Sequence, residues 1–364
     1  MKKYLSFFIF LQLLFAQFAF AQLDSIFDQN VYRTFIVHTP TNYNSTQQYP
    51  IVINMHGLGS DAAEQQYYSN FDFVANNKEF IVVYPNAIGG TWQDADVTFI
   101  SHLIDTIRSN YSCNNCLFST GMSMGGFMTY KLACDLPQTL SAIAVVTGNM
   151  LTTLQTTCTV PNGLPVMHFH GTSDAIVNYF GSAGISSVDS TIKWWVNQNN
   201  CNSSVVFTAL PNTNLSDNCT AEKYYFGGGK NRSEITLYKI INGGHTWPGS
   251  IPLQGLGNTN QDINASNIIG NFFQTFCGTV GMNELKNSDP FCLFPNPANN
   301  SINVQLPEQK FNLSLYDNFG KKIVEQNNIL GNTQIDCSTF LNGIYLIKTT
   351  TEKQTFSQKI IINH

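Results

Sequence analysis

The chain has 364 residues, 43% of them hydrophobic, enough for one large core and a second, smaller one. Only 11% are charged and the net charge is −5, with polarity carried instead by Asn, Gln, Ser and Thr. No basic patch stands out, which speaks against a nucleic-acid partner.

Lys2-Lys3 followed by the mostly apolar stretch Leu5 to Phe20 reads as an export signal. Ala19-Phe20-Ala21 fits small-x-small cleavage, so residues 1–21 are expected to leave and Gln22 to begin the mature chain. A membrane anchor is the alternative, but the run is short for a span and Gln12 and Gln17 interrupt it. No later stretch is long and apolar enough to cross a bilayer. All nine cysteines lie beyond the cleavage point, where export favours disulfides over metal or redox chemistry.

Up to about residue 277, short apolar runs alternate with helical patterns. Strands are expected at Tyr32–His38, Ile51–Asn54, Phe80–Tyr84, Leu117–Thr120, Ile143–Val146, Val166–His170 and Thr236–Ile240. Helices are expected near Asp96–Ser109, Met124–Cys134, Val188–Gln198 and Ala265–Phe276. This order predicts an α/β fold with a largely parallel sheet covered on both faces. Asn200–Arg232, polar and containing Gly227-Gly228-Gly229, reads as a long surface excursion between the last two core strands. Cys113-x-x-Cys116 has no second CxxC and precedes a strand, so a short local disulfide or two ordinary thiols are expected. Connectivity is not legible in sequence. Cys134–Cys158 and Cys201–Cys219 are the pairs we favour, since both close loops around the segments that carry the chemistry.

Those segments begin at Gly121-Met122-Ser123-Met124-Gly125-Gly126. A strand precedes it and a helical pattern follows, with a serine at the apex of a sharp turn. The arrangement resembles the nucleophile elbow of α/β-hydrolases, in which flanking small residues let strand and helix pack closely. A serine hydroxyl needs a base, and the base an orienting acid. His245, in Asn242-Gly243-Gly244-His245-Thr246-Trp247-Pro248-Gly249, follows a core strand and is the candidate base. Asp174 follows the strand Val166–His170 through Gly171-Thr172-Ser173 and is the candidate acid, ahead of Asp135, Asp189 and Asp217. Two N–H donors are needed for an oxyanion, and Met124 and Leu58, the latter in His56-Gly57-Leu58-Gly59, are the candidates. Trp92 and Trp247 sit in loops beyond strand ends, where they either flank a substrate pocket or pack in the core. His56, His168 and His170 match no metal-site spacing and have no acidic cluster beside them, so they are read as structural and no metal is expected.

Residues 278–290 form a polar linker, and 291–364 a small all-β sandwich with strands at Ser301–Leu306, Asn312–Tyr316, Gly343–Thr349 and Lys359–Ile362. Phe294-Pro295-Asn296-Pro297, Leu315-Tyr316-Asp317, Gly320-Lys321, Gly343-Ile344-Tyr345 and Lys359-Ile360-Ile361 resemble the type A C-terminal sorting domain of the type IX secretion system. That resemblance implies export through the outer membrane by that machinery, loss of the tail, and release or surface anchoring.

Residues 30–277 resemble the secreted polyhydroxybutyrate depolymerases and feruloyl esterases, a carbohydrate esterase family 1-like group. The likeness rests on His56-Gly57, Val83-Tyr84-Pro85, Trp92, Asp96-Val97-x-Phe99-Ile100, the elbow, His168-x-His170-Gly171-Thr172-x-Asp174 and Gly244-His245-Thr246-Trp247-Pro248-Gly249. It implies an α/β-hydrolase for residues 22–277, carboxylic-ester hydrolysis, no cofactor, and Ser123, Asp174 and His245 in the catalytic positions. Leu58 stands where many depolymerases have cysteine, and no polymer-binding domain is evident. The expected substrate is therefore a small ester or an ester-decorated plant polysaccharide carrying feruloyl or acetyl groups, with hydroxyalkanoate oligomers close behind. A peptidase of the same fold, or a non-catalytic surface-displayed glycan-binding protein, are the alternatives.

Overall fold

The computed structural model describes residues 23–277, 292–317, 321–351 and 355–364. The expected signal peptide and linker lie outside the described residues. The chain divides into two compact units, Met1–Gly278 and Thr279–His364.

The first unit runs β1 (Leu23–Asp28), β2 (Val31–His38), β3 (Tyr49–Met55), α1 (Ala62–Ser69), α2 (Phe71–Lys78), β4 (Ile81–Pro85), α3 (Asp96–Asn110), β5 (Cys113–Met122) and α4 (Met124–Asp135). It continues β6 (Ala142–Val146), α5 (Thr152–Thr157), β7 (Val166–Gly171), α6 (Val188–Asn199), β8 (Val206–Ala209), β9 (Thr220–Phe226), β10 (Ile235–Ile241) and α7 (Ala265–Phe276). All ten strands form one sheet in the order β1-β2-β4-β3-β5-β6-β7-β10-β9-β8. The central six run parallel, and antiparallel pairs finish both edges.

The central strands are nearly continuous apolar runs because both faces are covered. Alternate residues divide between two cores. Ile51, Ile53, Val83 and Val145 face α3, α4 and α6, which contribute Phe99, Leu103, Met128, Ile192 and Trp195. Val52, Val82, Phe118 and Ala144 face the other side, where α2 and α7 bring Phe71, Val74, Ile269 and Phe273. Gly270 lets α7 press on α2, since a Cβ there would lie 2.3 Å from Val74 Cγ1. Among the described residues no helix is long and apolar enough to cross a membrane.

Within Asn200–Arg232 the structure corrects the sequence reading. β8 and β9 lie there and extend the sheet antiparallel beyond β10. The Cys201–Cys219 pairing is also corrected, as both cysteines are free. They sit at opposite ends of β9: Cys219 adjoins Thr220, while the Cys201 sulfur lies against Gly229 and Ser233, beyond Phe226. A seven-residue strand spans about 20 Å, far beyond disulfide reach. Burial, with Asp217 and Asp262 nearby, pushes the Cys219 thiol up to about 12.

Cys134–Cys158 forms as expected. A local Cys113–Cys116 bridge does not: Cys116 bonds Cys277, 161 residues away, and Cys113 stays free with burial pushing its thiol up to about 11. Closing so long a loop constrains the unfolded chain strongly. Replacing Cys116 and Cys277 together by serine is expected to lower stability by about 2–5 kcal/mol, read from urea unfolding of the full chain. A loss below about 1 kcal/mol would mean the bridge adds little to the fold.

The second unit is all-β. β11 (Cys292–Phe294), β12 (Ser301–Tyr316), β13 (Lys322–Asp336), β14 (Gly343–Thr350) and β15 (Thr355–Ile362) pair antiparallel. The two short strands expected at Ser301–Leu306 and Asn312–Tyr316 are one long strand, irregular between Leu306 and Lys310. Both of its ends feed one apolar cluster, with Ile302 and Val304 from the first and Phe311, Leu313 and Leu315 from the second.

Candidate active site

In the sheet, β3 leads on to β4 on one side while β5 lies on the other, so the loops after β3 and β5 diverge and leave a crevice between them. Met55 and Gly121 are register partners at this edge.

Ser123 alone makes the turn from β5 into α4, at φ 54° and ψ −119°. Such a conformation costs on the order of 1–3 kcal/mol for a non-glycine residue and persists only under tight constraint. The constraint is visible. Ser123 N–H donates to the Val146 carbonyl at 2.9 Å, and its own carbonyl accepts from Gly126 and Phe127 N–H at 2.8 and 3.0 Å. A Cβ on Gly121 would lie 2.6 Å from the Gly125 backbone, so glycine is required for strand and helix to meet. Met124 opens α4, and its N–H therefore has no intrahelical acceptor.

From the other side, the loop His56-Gly57-Leu58-Gly59 comes against the elbow, where a Cβ on Gly57 would lie 3.4 Å from Ser123 Cβ. His56 is buried. Its Nε2 accepts from Ala87 N–H at 3.0 Å, which leaves Nδ1 to donate to the Gly57 carbonyl at 2.7 Å. Burial holds this histidine below its ordinary value, with the Gly57 carbonyl opposing. Trp92 packs on the His56 ring and donates from Nε1 to the His56 carbonyl at 2.9 Å. Leu58 is 67% exposed, and its N–H makes no hydrogen bond among the described residues.

Asp174 and His245 come together from the loops after β7 and β10, neighbouring parallel strands. His245 Nδ1 lies 2.8 Å from Asp174 Oδ2, and both side chains are buried. The carboxylate acceptor makes Nδ1 the protonated nitrogen and leaves Nε2 free to accept. Asp174 Oδ1 accepts from Ile176 and Val177 N–H at 2.9 and 2.8 Å. Burial alone would raise the Asp174 carboxyl, but hydrogen bonds from His170 and His245 outweigh it and hold the group well below the usual carboxylate range. Ser123 Oγ and His245 are not hydrogen-bonded to each other, and a bond of this kind commonly tightens only with substrate in place. None of the rival acids meets His245. Asp135 holds Lys131, Asp189 holds Tyr179, and Asp217 accepts from Cys219 and Gln261 N–H.

A cavity of about 560 Å³ opens beside Ser123. Its walls are mainly apolar, with Leu58, Trp92, Phe127, Leu151, Leu154 and Ile176 among them, and Lys131 and Asp94, 3.7 Å apart, supply charge. Trp92 thus reaches the cavity but is largely covered, bracing the loop beneath. Trp247 is not on its wall: it is 1% exposed, lies in the α7-side core and donates to Ser266 Oγ at 2.9 Å. Leu151, Leu154 and Ile176 escape sequence reasoning because they lie on loops and a short helix that no motif marks. Among the described residues no cluster of three or more His, Cys, Asp or Glu is placed to hold a metal.

The strand order, the two antiparallel edges and the strained Ser123 turn between β5 and α4 give the first unit the α/β-hydrolase fold. Within that fold class its sequence is similar to acetylxylan and feruloyl esterases. It is 27% identical over 237 residues to a bifunctional acetylxylan esterase/xylanase of Neocallimastix patriciarum, covering 63% of this chain and 33% of that protein. It is 30% identical over 164 residues to feruloyl esterase D of Neurospora crassa, covering 40% and 54%. The chain therefore spans about a third to half the length of these curated relatives. Among solved structures, an acetyl xylan esterase from Aspergillus awamori aligns at TM-score 0.47 and 19% identity, covering 64% of this chain and 96% of that one. Residues 292–363 match the secretion system C-terminal sorting domain. The chain thus carries a type IX sorting tail and is a secreted or cell-surface protein.

Proposed function

We propose that residues 22–277 are a serine carboxylic-ester hydrolase acting on feruloyl or acetyl esters of plant polysaccharide, joined by a linker at 278–290 to the sorting domain. The observation that carries this reading is the buried His245–Asp174 pair at the sheet edge that also holds Ser123 in its strained turn. Ser123 Oγ attacks the ester carbonyl carbon while His245 Nε2 takes its proton, and Asp174 steadies the imidazolium. The N–H groups of Leu58 and Met124 receive the oxyanion, each worth about 3 kcal/mol in the transition state. Collapse expels the alcohol, which takes the proton from His245, and leaves an acyl-enzyme. Water then repeats the sequence and frees the acid.

The cavity favours a bulky apolar acyl group over acetyl, since an acetyl group fills little of about 560 Å³. Names of similar proteins support both feruloyl and acetylxylan esters. The test is a panel of methyl ferulate, acetylated xylan and hydroxybutyrate oligomers with the full chain. Turnover of methyl ferulate above the others is the expected result. Activity on hydroxybutyrate oligomers alone would shift the substrate class. No turnover with tight glycan binding would replace the hydrolase reading by that of a binding protein.

A further inference from the structure

His168 and His170, two residues apart on β7, lie on the same face of the sheet. Their rings stack with centroids 5.3 Å apart and planes 4° from parallel, and both side chains are fully buried. All four ring nitrogens are engaged. Tyr130 Oη meets His168 Nδ1 at 2.7 Å, and His168 Nε2 meets His170 Nδ1 at 3.1 Å. His170 Nε2 meets the Val177 carbonyl at 2.8 Å and Asp174 Oδ2 at 3.4 Å.

The chemistry of the far end fixes the direction of the chain. A carbonyl and a carboxylate only accept, so His170 Nε2 carries the proton. In neutral His170, Nδ1 then accepts from His168 Nε2–H, His168 Nδ1 accepts, and Tyr130 donates. Reversing the upper bonds would require a charged His170. It would also leave the buried Tyr130 hydroxyl proton without an acceptor among the described residues. Burial, reinforced by His170, holds His168 well below its ordinary value, and burial holds the Tyr130 hydroxyl well above its own. A one-way series of donors therefore runs from α4, the helix behind the nucleophile, to the loop bearing Asp174.

We propose that His170, held by His168 and Tyr130, is a positioning residue for the Asp174 carboxylate. It acts twice. Its Nε2–H shares Oδ2 with His245, and it anchors the carbonyl of Val177, whose own N–H pins Oδ1. Both carboxylate oxygens are thereby fixed, and with them the bond that aims His245 at Ser123. The inference rests on the roles given above to Asp174 and His245.

The test uses the full chain and p-nitrophenyl butyrate. His170→Gln places an amide N–H near the site of Nε2, whereas His170→Asn reaches only the site of Nδ1. The glutamine variant is expected to keep kcat within about fivefold of wild type, and the asparagine variant to lose about 30- to 100-fold in kcat with KM within about twofold. Tyr130→Phe, close to isosteric and safe for folding, removes the donor that holds the His168 ring at Nδ1 and is expected to lower kcat about three- to tenfold at unchanged KM. Equal kcat in the two His170 variants, a loss confined to KM, or wild-type kcat in Tyr130→Phe would each overturn the proposal. Should His170→Asn not fold, Tyr130→Phe decides. Asp174→Asn separates the two levels: wild-type activity there removes the hydrolase reading itself, whereas collapse there with wild-type kcat in His170→Asn removes only this inference.

Discussion

Ser123→Ala in the full chain is expected to lower kcat on p-nitrophenyl butyrate by about 10⁴- to 10⁶-fold, while binding of unreacted ester changes little. Alanine keeps the Cβ that the elbow already accommodates at φ 54°, so neither strain nor packing changes. Only the hydroxyl oxygen goes. Stability should therefore stay within about 0.5 kcal/mol of wild type, read from the urea midpoint. Asp174→Asn should fall by about 10⁴-fold for a different reason. The amide can offer its N–H to His245 Nδ1, which favours the tautomer with the proton on Nε2, where a lone pair is needed. Wild-type turnover in Ser123→Ala would end the proposed mechanism, since no other hydroxyl stands at this turn.

Much of this site is legible in the sequence because its parts are tied to strand ends. The elbow must be glycine-rich for strand and helix to approach, so Gly121, Gly125 and Gly126 announce Ser123. Asp174 and His245 each follow an apolar run through a short turn, and adjacent parallel strands bring the two loops together. Trp247 misleads because a loop position in sequence says nothing about which way a ring turns, and this ring turns into the core. The helices α1 and α2 escape because their apolar periodicity is weak: α1 buries only Ala62, Gln65 and Ser69. β13 escapes for a related reason. Apart from Ile335, its residues are half-exposed or exposed and mostly polar, so no apolar alternation marks a long strand.

Partner choice among distant residues is the part that local patterns do not carry. Cys116 and Cys277 meet because α7 packs on the face of the sheet opposite α4 and ends at the start of β5. His168 and His170 are visible as a same-face pair, yet their hydrogen bonds to Tyr130 and toward Asp174 depend on α4 and the loop after β7 converging on them. Alternation along a strand yields the shared face. Only the assembled fold yields the direction of the proton donors.

The elbow also sets the largest expected effect on stability. A Cβ on Gly125 would lie 2.2 Å from the Met55 carbonyl oxygen, 2.6 Å from Met55 C and 2.7 Å from the His56 carbonyl oxygen. All three are backbone atoms at the end of a central strand, so no side-chain rotation relieves the overlap. Gly125→Ala should therefore cost more than about 4 kcal/mol or prevent folding altogether. Gly126→Ala meets Val145 Cγ1 at 2.9 Å and Gly148 Cα at 3.1 Å, where part of the contact is a side chain that can shift. Its cost should be smaller, about 1–3 kcal/mol. Any Gly125→Ala protein that does fold must push Met55 and His56 outward, carrying Leu58 N–H away from Ser123. Its kcat should then fall by about 10²-fold or more, as for loss of an oxyanion donor. Urea unfolding and ester turnover of both alanine variants decide the matter. A Gly125→Ala protein as stable and active as Gly126→Ala would mean that β3 and α4 are not in the close contact from which the site is built.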